Sequence, residues 1–204
     1  MVECRGGEAG ATLKRERAAN GKKLGGWVGA ALVLGASLSA TAAPSKKGAA
    51  GGYSWDVPAR WIEQPARTMR VATYAVPAAA GALAGECAVF FFTGGDGGSV
   101  DANVERWSQQ FEGAPKPEKS ARTVRGISVT TVRIAGTYLA PGGPMMQSQG
   151  KRPGYLLVGA IAQTPQGNLF FKFTGPAATV SAAKPDWEAL LASLGPTAPP
   201  KAVP

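Results

Sequence analysis

The sequence predicts an α+β domain: an antiparallel sheet of about six or seven strands flanked by helices. Three observations lead there. Two stretches carry apolar side chains at helical spacing, Val100, Val104, Trp107 and Phe111, and then Trp187, Leu190, Leu191 and Leu194. Two short turn signals, Arg125-Gly126 and Pro165-Gln166-Gly167, each sit between runs of strand-forming residues. The order is strands, a helix, hairpin-linked strands and a last helix, a pattern that packs helices onto an antiparallel sheet.

The first 42 residues read as an address. Lys22 and Lys23 precede a stretch without charge from Leu24 to Pro44, whose apolar core Gly26–Leu38 is followed by Ala40-Thr41-Ala42-Ala43. A basic flank, a short apolar core and small residues make a secretory signal segment, with cleavage expected near Ala42 or Ala43. Membrane association is expected only through that segment if it stays uncleaved. Residues 1–21 form an unusual extension ahead of it. Removing 1–42 takes away six basic and three acidic residues, so the net charge falls from +9 to +6. Cys4 leaves too, and Cys87 then has no partner for an internal disulfide. Its apolar run Cys87–Phe92 predicts a buried, inert thiol.

Residues 43–52 are expected to be a flexible linker, 53–195 the domain, and 196–204 a Pro/Ala-rich disordered tail. Tyr53–Val57 is a strand stopped by Pro58. Arg70–Val76 is a second, stopped by Pro77. Glu86–Thr93 is a third, apolar on both faces. The helix over 100–111 starts from Ser99 as N-cap, with Asp101 in its first turn. Ser120–Val124 and Ile127–Leu139 form one hairpin, and Tyr155–Thr164 and Asn168–Thr174 another. The runs Tyr155–Val158 and Leu169–Phe171 do not alternate, which requires cover on both faces of the sheet. For the last helix, Pro185 suits the first turn, Gly195 the C-terminal cap and Pro196 the stop.

Composition excludes several chemistries. The chain has no histidine, so no Ser-His-Asp or Cys-His centre and no His-ligated zinc can form. No cofactor motif is present. The basic balance comes without a nucleic-acid-binding motif, so a nucleic-acid partner is not expected. The chain is therefore expected to be no enzyme. The alternatives are a hydrolase using two of the carboxylates, or a purely structural envelope protein.

Candidate contact residues fall into three groups. The glycine loop Gly94, Gly95, Gly97, Gly98 and Ser99 precedes a helix, where converging backbone N–H groups favour an anion; Arg106 lies nearby. The segment 141–154 is long for a compact domain and carries Met145, Met146, Lys151 and Arg152, an adaptable apolar contact with a cationic rim. Trp55 and Trp61 flank a proline turn and could line a groove. Lys172, inside the aromatic strand Phe170-Phe171-Lys172-Phe173, is expected to face solvent or an acid.

The opening Tyr53-Ser54-Trp55-Asp56-Val57-Pro58-Ala59-Arg60-Trp61 resembles the start of PsbP-like domains. The element order and the final helix with Trp187 resemble them as well. That superfamily takes in the yeast Ran-binding Mog protein and small exported bacterial proteins. Phe92–Ser99 and Phe170–Pro176 look like segments of an exported bacterial branch. The resemblance covers 53–195 and implies an α/β/α sandwich that binds or assembles rather than catalyses. It implies an unnamed protein partner or small ligand in the envelope or periplasm, and it transfers no residue roles.

Overall fold

The computed structural model describes residues 46–140 and 150–197. The stretch expected to be a signal segment, Met145, Met146 and the residues from 198 onward lie outside them. Seven antiparallel strands form the main sheet, in the order β3 (Ile62–Glu63), β4 (Ala72–Val76), β5 (Gly85–Phe92), β9 (Gly167–Pro176), β8 (Lys151–Thr164), β7 (Ile127–Leu139) and β6 (Glu118–Val124). A small second sheet joins β1 (Lys47–Ala50), β2 (Tyr53–Asp56) and β10 (Gly195–Pro196). The helices are α1 (Val100–Ser108), α2 (Ala177–Ala182) and α3 (Lys184–Ser193). Among the described residues no helix is long and apolar enough to cross a membrane.

Both predicted hairpins form. Arg125 and Gly126 take φ of 46° and 84° between Val124 and Ile127. Two consecutive positive-φ residues give a turn whose twist matches that of paired strands. Thr164 and Gly167 close the β8–β9 hairpin.

The sheet is covered on both faces, as its continuous apolar runs require. Strand alternation sends Val132, Ile134, Leu157, Ile161 and Phe170 to one face, under Val104, Trp107 and Phe111 of α1. It sends Cys87, Val89, Leu156, Phe171 and Phe173 to the other. There Trp187, Leu190, Leu191 and Leu194 pack with Trp55 and Trp61. Cys87 is buried and free, and burial pushes its thiol well above the ordinary cysteine range.

Two expectations are corrected, and one further helix is found. Residues 47–50 of the expected linker are a strand: Ala50 pairs with Tyr53 across Gly51-Gly52, whose φ values are 58° and 78°. Gly-Gly flanked by strands is a hairpin signal, and Gly48 leaves room for the Trp55 indole, since a Cβ there would lie 2.3 Å from it. Gly195 is not a helix cap. Leu194 ends α3 in an extended conformation, and Gly195-Pro196 pairs with Ser54 and Tyr53. The helix α2 has no amphipathic stripe to announce it. The Thr179 hydroxyl fixes it instead, donating to the Leu83 carbonyl at 2.7 Å and accepting from the Ala79 N–H at 3.2 Å.

Candidate functional site

Strand register builds a polar cleft on the α1 face. Ala88 of β5 stands opposite Lys172 of β9, Glu86 opposite Thr174, and Gly159 of β8 lies beside Lys172. Phe90 and Tyr155 share this face. Gly159 has no side chain because a Cβ there would fall 2.2 Å from the Trp107 ring, so α1 lies close to the sheet at this point.

Two irregularities complete the cleft. The β7–β8 register shifts between Gly136 and Tyr138, and past the shift Tyr138 stands opposite Arg152. Tyr138 stacks on Tyr155 with ring centroids 5.8 Å apart and planes 5° from parallel. The chain leaving α1 then bridges to β7. The Glu112 N–H donates to the Thr137 carbonyl at 2.9 Å, and the Leu139 N–H donates to the Gln110 carbonyl at 2.8 Å. That bridge delivers the Gln110 side chain to Lys172, whose amine donates to the Gln110 amide oxygen. The Tyr138 hydroxyl is 3.4 Å from the same amine, which lies 5.5 Å from the Tyr138 ring centroid.

The resulting cavity has a volume of about 360 Å³. Four cations line it, Arg67, Arg70, Arg152 and Lys172, against one carboxylate, Glu86. Glu86 accepts from Arg67 at 3.0 Å and from Arg70 at 2.8 Å. Arg70 also donates to the Thr73 hydroxyl at 3.3 Å and lies over the Phe90 ring. Arg152 lies over the Tyr155 ring, 5.9 Å from its centroid. The Thr174 hydroxyl is buried with no hydrogen-bond partner among the described residues. Burial lowers Lys172 to about 8; Arg70 adds to the shift and Glu86 opposes it. Burial likewise raises Tyr138 to about 12, helped by Glu86 and opposed by Arg152 and Arg70.

The sequence candidates divide on this geometry. Arg152 lines the cleft. Lys151, next to it, turns to an ion pair with Glu112. The glycine loop is taken up in a strand-to-helix turn. The N–H groups of Asp96 and Gly98 donate to the Thr93 and Gly95 carbonyls at 3.0 and 2.9 Å. The Asn103 amide donates to the Gly97 and Ser99 carbonyls at 2.7 and 2.9 Å. The Ser99 hydroxyl accepts from the Ala102 N–H at 3.1 Å, as expected of an N-cap. Gly94 and Gly95 supply positive φ, and Gly97 leaves space for the Phe170 ring. Arg106 donates to the Asn103 side-chain oxygen at 3.1 Å and so braces the same turn. Trp55 and Trp61 line no groove: they are core residues, 1% and 5% exposed. The Trp55 N–H donates to the Tyr74 hydroxyl at 3.2 Å.

Lys172 is the main correction. It faces neither bulk solvent nor a bonded acid but the cleft, against Gln110 and Tyr138. Arg67, Arg70, Glu86, Tyr138, Tyr155 and Thr174 were likewise not candidates. The lysine within an aromatic strand was the available signal.

A second cavity of about 380 Å³ lies between α2, α3 and strands β6 to β8, with Trp187, Leu156, Val158 and Val180 among its apolar lining. Glu118 and Glu188 also line it. Each is held by an arginine, Glu118 by Arg133 at 3.0 Å and Glu188 by Arg122 at 2.8 Å. Among the described residues no cluster of three or more Asp, Glu or Cys side chains is placed to hold a metal ion.

No family model matches the chain, and no curated protein sequence matches it. Several solved structures are similar at low identity. A protein of unknown function from Pseudomonas aeruginosa is 12% identical, covering 76% of this chain and 99% of its own, with a TM-score of 0.45. The cyanobacterial PsbP of Synechocystis is 12% identical, over 72% and 88% of the two chains, with a TM-score of 0.42. LpqN, involved in cell envelope biogenesis of Mycobacterium tuberculosis, is 13% identical, over 77% and 87%, with a TM-score of 0.44. No residue role passes from any of them to this chain.

Proposed function

We propose that this chain is a non-catalytic binding module of the cell envelope that holds a small anionic ligand in the cleft beside Lys172. The observation that carries the reading is the charge balance: four cations and one carboxylate around a cavity of about 360 Å³. Glu86 is already engaged by Arg67 and Arg70, which leaves the charge of Arg152 and Lys172 uncompensated within the cleft. The buried Thr174 hydroxyl supplies an unused donor. A concave pocket with convergent polar groups among aromatic rings, here Phe90, Tyr138 and Tyr155, is a common setting for a small ligand. The envelope part rests on the leader-like pattern of residues 22–43. The hydrolase reading would draw on Glu118 and Glu188, and those are half-exposed or exposed groups tied to arginines, so the cleft is the stronger site.

Calorimetric titration with benzoate at low ionic strength tests the reading. The double variant Arg70→Gln, Arg152→Gln should weaken binding about a hundred-fold or more, since each of the two charge-assisted contacts contributes about 1.5 kcal/mol or more. Arg106→Gln, on the far turn, should leave it unchanged. Equal affinities in all three proteins would overturn the proposal. For the envelope placement, a fusion of residues 1–60 to an export-dependent reporter should be active, and a silent reporter would remove that part.

A further inference from the structure

We infer that Lys172 captures a small 2-oxo acid in the cleft by forming an imine with its carbonyl carbon. This rests on the anion-site reading and names the ligand class that site would take.

The geometry has the parts that imine chemistry needs. The Lys172 amine sits at the floor of the cavity and donates to a neutral acceptor, Gln110. No carboxylate hydrogen-bonds it among the described residues; Glu86, the one acid lining the cleft, is taken by Arg67 and Arg70. A lysine clamped to a carboxylate is held as ammonium, and a nucleophilic amine needs the opposite setting. Burial and the neighbouring Arg70 supply that setting and hold the group at about 8. At pH 7.5 about a quarter of the molecules then carry the neutral amine, against about one in a thousand for an ordinary lysine. Arg70 and Arg152 line the same cavity and can receive the carboxylate of the acid, and the Thr174 hydroxyl is free to donate to it.

The step balances without an added reagent. The amine lone pair forms a C–N bond to the carbonyl carbon while the C=O π pair moves to oxygen, which takes up a proton. That first proton is the one the nitrogen gives up; the hydroxyl then takes a second proton from the Tyr138 hydroxyl and leaves as water as C=N forms, and the iminium nitrogen returns its remaining proton to the Tyr138 oxygen. One water is released and nothing is oxidised or reduced. The Tyr138 hydroxyl, 3.4 Å from the amine and kept protonated by its burial, is placed to pass a proton to the departing oxygen.

The test incubates the full chain with pyruvate and sodium cyanoborohydride, which reduces an imine to a stable amine. Intact mass should rise by the mass of the acid less one oxygen, and peptide mapping should place the adduct on Lys172. Its labelling should outpace that of any other lysine by about ten-fold or more, a discounted fraction of the difference in neutral amine. Lys172→Arg should abolish the adduct, and Tyr138→Phe should slow it while the chain stays folded by circular dichroism. Labelling spread evenly over exposed lysines such as Lys184, or an unchanged adduct in Lys172→Arg, would overturn the imine. Benzoate binding by the unaltered protein without a Lys172 adduct sinks the imine and leaves the anion site standing. Absence of benzoate binding removes the anion site itself.

Discussion

Replacing Lys172 by methionine should make the pH dependence of stability report on the cleft. In the folded protein the amine titrates near 8, against an ordinary 10.5. Below about pH 8 both folded and unfolded chains carry the charge, and the folded chain bears the full cost of burying it. That cost is about 3 kcal/mol as an upper value, from 1.36 kcal/mol per pKa unit. Between 8 and 10.5 the folded chain releases its proton while the unfolded chain keeps it. The unfolded state then binds more protons, so the contribution of Lys172 to stability rises with pH. Lys172→Met removes that cost and also leaves Gln110 without its donor, a loss of about 1 kcal/mol. The variant should therefore be the more stable protein at pH 7 by about 1–2 kcal/mol. Between pH 7 and 9.5 the wild type should close the gap by about 2 kcal/mol. Cys87 and Tyr74 are also shifted upward by burial and pull the other way at alkaline pH. They are common to both chains and cancel in the difference. Urea unfolding of both proteins at pH 7.0, 8.5 and 9.5 reads the effect directly. A difference constant to within about 0.5 kcal/mol across that range would refute the burial argument, because the measured shift would then be far smaller than the geometry demands.

Two further outcomes test how α1 is held. Ser99→Ala should cost about 1 kcal/mol in urea unfolding through loss of the cap to the Ala102 N–H, and benzoate titration should give an unaltered affinity because Ser99 does not line the cleft. Gly159→Ala should cost about 1–3 kcal/mol by forcing a methyl into the Trp107 ring; combined with Trp107→Leu the loss should fall well short of the sum, and additive losses in the double-mutant cycle would show that the two do not meet.

The fold was largely legible because local signals and tertiary demands agree. Val104, Trp107 and Phe111 mark the face of α1, and that face covers the sheet. Arg125-Gly126 and the Pro165–Gly167 turn mark hairpins, and both form. The apolar doublets of β8 and β9 asked for cover on both faces, and both faces are covered. The misses fall where pairing, not local preference, decides. Lys47–Ala50 looks like a linker because glycine and alanine disfavour strands, yet Tyr53–Asp56 offers it an edge and Trp55 requires its Gly48. Gly195-Pro196 looks like a helix stop, and the opposite edge of β2 draws it into the small sheet.

The cleft was hardly legible, and the reason is its construction. No two of its charged residues share a motif. Arg67 and Arg70 lie before β4, Glu86 starts β5, Arg152 starts β8, and Lys172 is in mid β9. They meet because antiparallel register sets Glu86 against Thr174 and Ala88 against Lys172. Tyr138 shares the face of Val132 and Ile134 by the plain alternation of β7, and Arg152 joins them because β8 takes in one extra residue between Tyr155 and Arg152, without which alternation would send it to the opposite face. The glycine loop likewise depends on contacts that its own residues do not announce. A glycine-rich turn before a helix offers backbone donors to an anion only if its own carbonyls and side chains leave them free. Here the Asp96 and Gly98 N–H groups donate to the Thr93 and Gly95 carbonyls and the Ala102 N–H to the Ser99 hydroxyl, while Asn103 takes up the Gly97 and Ser99 carbonyls.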